Sequence, residues 1–352
     1  MEILKNQEKA IYSLRELFYS YGYLPYKMSK FEEYDLYVKN KEFLVSDRII
    51  TFTDTSGKLL ALKPDVTLSI LKNAKGEKQK VCYNETVYRI SSGTNSFKEI
   101  MQSGIECIGE VGLYDIYESV LLACKSLDAI GQEYVLDLSH LGIVSEILQG
   151  TEDKFKESVL TCLAEKNTQG IINACKEFNY QDKKQDLCNL VSLYGDAESV
   201  INGLQNFAPT KAVEELKDLI MLLKDSGYYN KINLDFSLTG DLHYYNGIIF
   251  KGYINGISQS VLSGGQYDKL AKKLGKTCSA IGFAVYLDLL ENYNYTTSEY
   301  DVDTLIIYNE KTCPKLVVST VEKELKNGTV RAQQQVGSLR YKKLIDLGGK
   351  QW

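Results

Sequence analysis

The sequence is poor in the residues that usually announce a chemistry. Two histidines, His140 and His243, accompany eight cysteines (82, 107, 124, 162, 175, 188, 278 and 313) with no CxxC or CxxH spacing. Zinc sites draw on clustered Cys and His ligands, so no metal site is expected, and the thiols read as buried and reduced in a cytosolic protein. No apolar run of about 18 residues occurs. The N-terminus, MEILKNQEKAIYSL, is charged and amphipathic rather than a signal region, so the expectation is a soluble, cytoplasmic chain without a membrane span. Positive charge is not in excess: 41 Lys and Arg against 46 Asp and Glu leave a net charge of -5. Nothing therefore draws the whole chain toward nucleic acid. There are no repeats or low-complexity segments. The glycine turn SGGQY lacks phosphate-loop spacing and reads as a strand-to-helix turn, so no cofactor is expected.

What is present is ordinary globular material, 44% hydrophobic and 25% charged, in a 352-residue chain long enough for two or three domains. Tyrosine stands out, with 26 against 11 Phe. It reads as core filler in place of Phe, with polar-tipped pocket walls as the other use. Residues 5–22 carry an apolar helical stripe, Ala10, Ile11, Leu14, Leu17 and Phe18, ended by Gly22. DRIITFTDTSGKLLALKPDVTLSIL reads as a hairpin turning at Thr55–Lys58, with a short helix after Pro64. KVCYNETVYRI and IMQSGIECIGE are strands, residues 114–130 a helix and EYVLDLS a strand. From about 141 to 228 strand signals vanish and helical periodicity dominates, as in a helical insertion. INLDFSLT, LHYYNGIIFKGY and GISQSVLSGG restore strands, followed by helices over 267–274 and 283–292. YNYTTSEYD is a polar linker, and residues 301–352 read as a small C-terminal α/β piece. Alternating antiparallel strands with helices to one side predict an α+β fold.

Period-two alternation makes one face specific. In QSGIECIG, Gln102, Gly104 and Glu106 share a face, opposite Ser103, Ile105 and Cys107, which leaves ligand space beside Gly104. Lys63, Asp65 and Thr67 alternate in the same way, and Arg89 ends its strand. Bland uses exist for each: a rim salt bridge for Glu106, a solvated position for Gln102, and packing for His243. Tyr244 and Tyr245 fall on opposite faces if that segment is a strand, so one lines a pocket and the other is core.

SLTGDLHYYNGIIFKGY, SGGQYDKLAKKL and AIGFAVYLDLLE resemble the RGLDYYN, GGRYD and GLER stretches of histidyl-tRNA synthetase. The resemblance spans about residues 5–295, adding LALKPDVT and the VYR…QSGIECIGE pair. It implies a class II aminoacyl-tRNA synthetase-like antiparallel sheet over 1–295. GYLPYKMSKFEEYDLY resembles the dimer-forming first motif, with Ser29 where the family has proline. The resemblance assigns ammonium binding to Asp65 with Thr67 beside it. It places the pocket amide on Gln102, the imidazole-reading carboxylate on Glu106 and the tyrosine pair on Tyr244 and Tyr245, with Arg89 retained.

The departures fall on the ATP side. Family arginines are replaced by Ser96 and Lys98, by Gly240, by Gln266 and by Leu289, a family Glu becomes Ser91, and His243 stands where the family has Asp. Adenylate formation needs fixed positive charge on the phosphates. A synthetase-like core without those arginines, and with a C-terminal piece shorter than an anticodon-binding domain, resembles the regulatory-subunit family of ATP phosphoribosyltransferase. That resemblance implies a non-catalytic subunit in histidine biosynthesis. Its partners would be the short-form catalytic subunit and L-histidine as effector, in a homodimer within a hetero-oligomer. The competing readings are a truncated amino-acid-activating enzyme using Lys63, Arg89 and Lys98, and a tRNA-sensing module, against which the acidic balance counts.

Overall fold

A computed structural model describes residues 5–40, 49–75, 77–90, 96–131, 133–205, 207, 210–239, 244–291, 293 and 299–349. Residues 5–293 make one compact unit, and residues 299–349 belong to a second. Among the described residues no helix is long and apolar enough to cross a membrane.

The larger unit is organised by a nine-stranded sheet. Its strands in chain order are β1 (Leu24–Pro25), β2 (Gln79–Ile90), β3 (Phe97–Gly109), β4 (Tyr134–His140), β5 (Tyr194–Asp196), β6 (Ile232–Asp235), β7 (Ile248–Ile254), β8 (Leu262–Gln266) and β9 (Ser279–Tyr286). Across the sheet they run β1-β2-β3-β9-β8-β7-β4-β6-β5, antiparallel except for the β1–β2 and β4–β6 pairs. Alternation gives the sheet two unlike faces. Ile105, Cys107, Leu136, Leu138, Phe250, Ile281, Phe283 and Val285 point to a core shared with helices α1 (Asn6–Ser20) and α3 (Leu113–Ile130). In α1 the buried Ala10, Leu14 and Phe18 recur every fourth residue, and Gly22 ends the segment with φ of +78°.

The helical region carries helices over 141–147, 153–164, 168–177, 184–192, 197–204 and 211–225. Phe155, Val159, Leu187 and Leu216 join the same core as the sheet. Strand signals do not vanish there entirely. Tyr194–Asp196 pairs with β6 as the sheet edge, too short to show a period.

The polar face is partly covered by a hairpin of Thr51–Thr53 and Leu59–Leu62, joined by Phe31–Glu33, and by helix α2 (Thr67–Asn73). Leu68, Ile70, Leu71, Ala271 and Leu270 form a second core against Tyr83 and Val87 of β2. Asp54 Oδ1 accepts from the backbone of Ser56 and Lys58, both at 2.8 Å, and fixes the hairpin turn. The helix expected over 283–292 is not formed. Residues 279–286 are β9, wedged between β3 and β8, and only Leu287–Leu290 make a 3-10 turn. Pairing on both edges, with the aromatic and β-branched Phe283, Val285 and Tyr286, decides a strand, and the leucines fall only in the turn that follows.

In the smaller unit Val302–Ile307 is flanked by parallel strands Val330–Gln333 and Tyr341–Asp346, with helix Pro314–Leu325 as a crossover.

One buried ion pair clasps the hairpin to the sheet. Lys63, just past the hairpin strand and fully buried, places Nζ 2.6 Å from Glu85 Oε2 on β2. Glu85 Oε1 also accepts from Met28 N at 3.3 Å, and Tyr88 N donates to the Lys63 carbonyl at 2.9 Å. Removing one partner of such a pair leaves an uncompensated buried charge, costing about 3–5 kcal/mol, whereas apolar replacement of both can be neutral. Urea denaturation should therefore show Glu85→Ala strongly destabilised and the Lys63→Met/Glu85→Leu double variant close to wild type. A single variant within about 1 kcal/mol of wild type would remove the clasp from the account.

Candidate functional site

A cavity of about 460 Å³ opens on the polar face, within the range of small-molecule sites. Asp65, Thr67, Arg89, Gln102, Glu106, Tyr244 and Tyr245 all line it. The expected residues are thus brought together, although several arrive there by other routes than the sequence suggested.

Gln102 and Glu106 come from β3, as alternation requires, and are buried at 4% and 1% exposure. Their direct partners on β9 are Tyr286 and Gly282. A β-carbon at Gly282 would lie 1.9 Å from Glu106 Oε2 and 2.4 Å from the Ile105 carbonyl, so the carboxylate can lie against the sheet only over glycine. The space expected beside Gly104 is not open. A β-carbon there would meet the Tyr83 hydroxyl at 2.6 Å, because Tyr83 is its cross-strand partner and its ring covers the gap. Tyr83 lines the cavity in its place.

Asp65 and Thr67 do not alternate along a strand with Lys63. The strand stops at Leu62, and Thr67 begins α2. Asp65 Oδ1 accepts from Leu68 N at 2.8 Å, so the carboxylate satisfies a helix N-terminal donor. Burial raises its carboxyl, opposed by the Leu68 amide and by Arg89. Arg89 Nε donates to the Pro64 carbonyl at 2.9 Å, which ties the end of β2 to the start of α2.

Glu106 is the electrostatic centre. Thr67 Oγ1 donates to its Oε1 at 2.6 Å and the Tyr267 hydroxyl donates to its Oε2. Burial pushes its carboxyl up to about 8 despite both hydroxyls, and Asp65 adds repulsion. Tyr244 and Tyr245 sit before β7 begins, in irregular chain where the two-residue period does not hold, and both face the cavity. Their rings are 4.6 Å apart, and Tyr244 lies 5.9 Å from Tyr267.

The sequence reading missed Tyr83, Tyr267 and Lys251. Tyr83 and Lys251 follow from strand register once β2 is paired with β3 and β7 with β8. Tyr267 lies inside SGGQYD, which from sequence reads as a turn into a helix over 267–274 and resembles the GGRYD stretch, with no pocket role for the tyrosine.

None of the described positions where the resemblance expects an arginine lines the cavity, Arg89 apart. Gln266 Oε1 accepts from Ile248 N at 2.7 Å, tucked against Gly247. Leu289 packs on the apolar core, and Ser96 and Lys98 are exposed. Ser91, Gly240 and His243 lie outside the described residues.

A family model described as histidyl-tRNA synthetase matches residues 2–290. An ATP phosphoribosyltransferase regulatory subunit of Caldanaerobacter subterraneus is 30% identical over 289 residues, 78% of this chain and 75% of that protein. The solved ATP phosphoribosyltransferase regulatory subunit/histidyl-tRNA synthetase of Bacillus halodurans superposes with a TM-score of 0.80. It covers 98% of this chain and 94% of its own, at 24% identity. A chain of the ATP phosphoribosyl transferase (HisG:HisZ) complex of Thermotoga maritima gives 0.65 over 80% of this chain and 97% of its own, at 19% identity. The fold is the α+β, class II synthetase-like one that the sequence implied.

The raised Glu106 carboxyl makes a stability prediction whose sign is fixed. Between the ordinary carboxyl value of 4.5 and about 8 the folded state holds a proton that the unfolded state has lost. Stability should fall as pH rises through that window, by at most about 1.4 kcal/mol per pH unit from this group. Glu106→Gln, which cannot ionise, should gain on wild type steadily from pH 5 to pH 8 in urea titrations. A gap independent of pH would mean that Glu106 is ionised throughout.

Proposed function

The chain belongs to the histidyl-tRNA synthetase family and, within it, to the ATP phosphoribosyltransferase regulatory subunits; on that premise we propose that it binds the catalytic subunit of ATP phosphoribosyltransferase and makes it responsive to histidine. The chain is not itself the catalyst. The observation that carries this reading is the division of the synthetase-like site. The residues that the resemblance assigns to its amino-acid side line one cavity, while the described arginine positions of its ATP side serve as a backbone cap, as apolar packing or as exposed surface.

A free histidine presents an ammonium, a carboxylate and two ring nitrogens. Asp65, with Thr67 and Gln102 beside it, offers charged and neutral acceptors for the ammonium. Glu106, held between Thr67 and Tyr267, accepts from the imidazole, and the rings of Tyr244 and Tyr245 wall the cavity. Activation would require more. Each transition-state donor lost from such a site costs roughly 3 kcal/mol, so several together remove adenylate formation. The alternative of a truncated activating enzyme relied on Lys63, Arg89 and Lys98. Lys63 is locked to Glu85, Lys98 is exposed outside the cavity, and of the three only Arg89 lines it.

Histidine lowers the partner's activity if it binds the less active arrangement of the complex more tightly; equal affinity for both would shift nothing. The complex is read as a hetero-oligomer with a dimeric core of this chain.

Four measurements test the reading. Alone, the chain should make no phosphoribosyl-ATP, and histidine-dependent pyrophosphate–ATP exchange should stay at background. Mixed with the catalytic subunit, it should confer histidine inhibition. In calorimetric titration, Glu106→Ala should weaken L-histidine by about tenfold or more, the value of one charge-assisted hydrogen bond. Synthesis by the chain alone would refute the assignment, and an unchanged histidine affinity would move the effector site elsewhere.

A further inference from the structure

Lys251 stands mid-strand on β7, with Ser263 of β8 and Asp137 of β4 as its direct partners. Its neighbours Phe250 and Gly252 point to the buried core side, so Lys251 projects onto the polar face. The residue is half-buried and lines the cavity from the wall away from Asp65 and Glu106. Three strand spacings, about 14 Å, separate the backbones of β3 and β7, with β9 and β8 between them.

Lys63, Lys78 and Lys80 each pair with a carboxylate within 2.7 Å. Among the described residues Lys251 forms no ion pair or hydrogen bond, although Asp137 is its cross-strand neighbour. Asp137 instead accepts from Asn233 Nδ2 at 3.4 Å. The other cation on the cavity, Arg89, is committed differently: its Nε holds the Pro64 carbonyl and its charge acts on Asp65. The cavity is therefore lined by two acidic groups, one cation engaged with the α2 side and one cation, Lys251, that forms no ion pair. A half-desolvated ammonium without a partner is costly, and an incoming anion removes that cost.

Resting on the reading of this cavity as a histidine site, we propose that Lys251 is the counter-ion of the ligand's α-carboxylate and makes the site specific for the free amino acid. Asp65 and Glu106 select for positive and N–H groups, which histidinol and histidine share. Lys251 separates them, because histidinol carries a hydroxymethyl group where histidine carries the carboxylate. The site then responds to the free amino acid and not to its reduced form.

Calorimetry on the full-length chain tests this with L-histidine and L-histidinol as paired probes against wild type, Lys251→Met and Lys251→Arg. Lys251→Met should weaken histidine about tenfold or more and leave histidinol within about twofold of wild type, while Lys251→Arg retains most of the histidine affinity. Unchanged histidinol binding also reports that the variant is folded. Equal weakening of both ligands, or of neither, overturns the inference while leaving the histidine site standing. A wild-type chain that binds neither ligand overturns the histidine site, and this inference with it.

Discussion

The carboxylate of Glu106 lying flat over Gly282 is the constraint on which the site depends. A buried, largely uncompensated acid is expensive, and the fold places it there through strand register rather than through a flexible loop. Along the cavity the sheet adds Tyr83 beside Gly104 and Tyr286 beside Gln102, while the segments outside its strands supply Thr67 and Tyr267. Two hydroxyls occupy one oxygen each, which fixes the carboxylate plane and leaves its remaining lone pairs for something that carries N–H groups. The sheet's other face is given mainly to apolar packing, aliphatic and aromatic, so the polar side can be built for recognition without risking the core.

The second half of the site hangs on the hairpin. Asp65 and Thr67 belong to a chain segment that is joined to the sheet by few contacts of high value: the Lys63–Glu85 pair, the Tyr88 amide on the Lys63 carbonyl, and Arg89 on the Pro64 carbonyl. The first and last involve a charged side chain and the second is a backbone hydrogen bond, so all three are directional. They fix where α2 begins relative to β2 and β3, and hence the relation of Asp65 to Glu106. The small apolar core of Leu68, Ile70 and Leu71 against Val87 adds bulk but less direction.

Much of this was legible in the sequence because a strand of period two declares its faces. Gln102 and Glu106 fall on one face by spacing alone, whereas Asp65, Thr67, Arg89 and the tyrosine pair join them only through the family resemblance. The failures have physical causes. Alternation was carried past Leu62 and before Ile248, where the chain is no longer extended, so Lys63 was grouped with Asp65 and the two tyrosines were set on opposite faces. The 283–292 segment looked helical because Ala and Leu favour helix locally, yet pairing on both edges decides a central strand. Gly104 looked like room for a ligand, whereas a cross-strand tyrosine fills it. Lys251 was invisible because its meaning lies in having no partner, and a single sequence does not print partners.

The division between the halves of the cavity also bears on what a non-catalytic descendant of an activating fold can do. A synthetase spends binding energy on holding charge that develops only in the transition state. In the reading proposed above the remaining groups hold a stable ligand, and the part of its binding energy that differs between two states shifts their equilibrium. A ligand touching Glu106 on the sheet and Asp65 just ahead of α2 at once would bind most tightly when the two segments are seated together. Its free energy is therefore linked to their relative placement by the same amount in both directions. The Lys63–Glu85 clasp opposes large excursions, so the range over which such a ligand can act is small. The response must then be read by a surface that is itself sensitive to small shifts, as packed protein interfaces are.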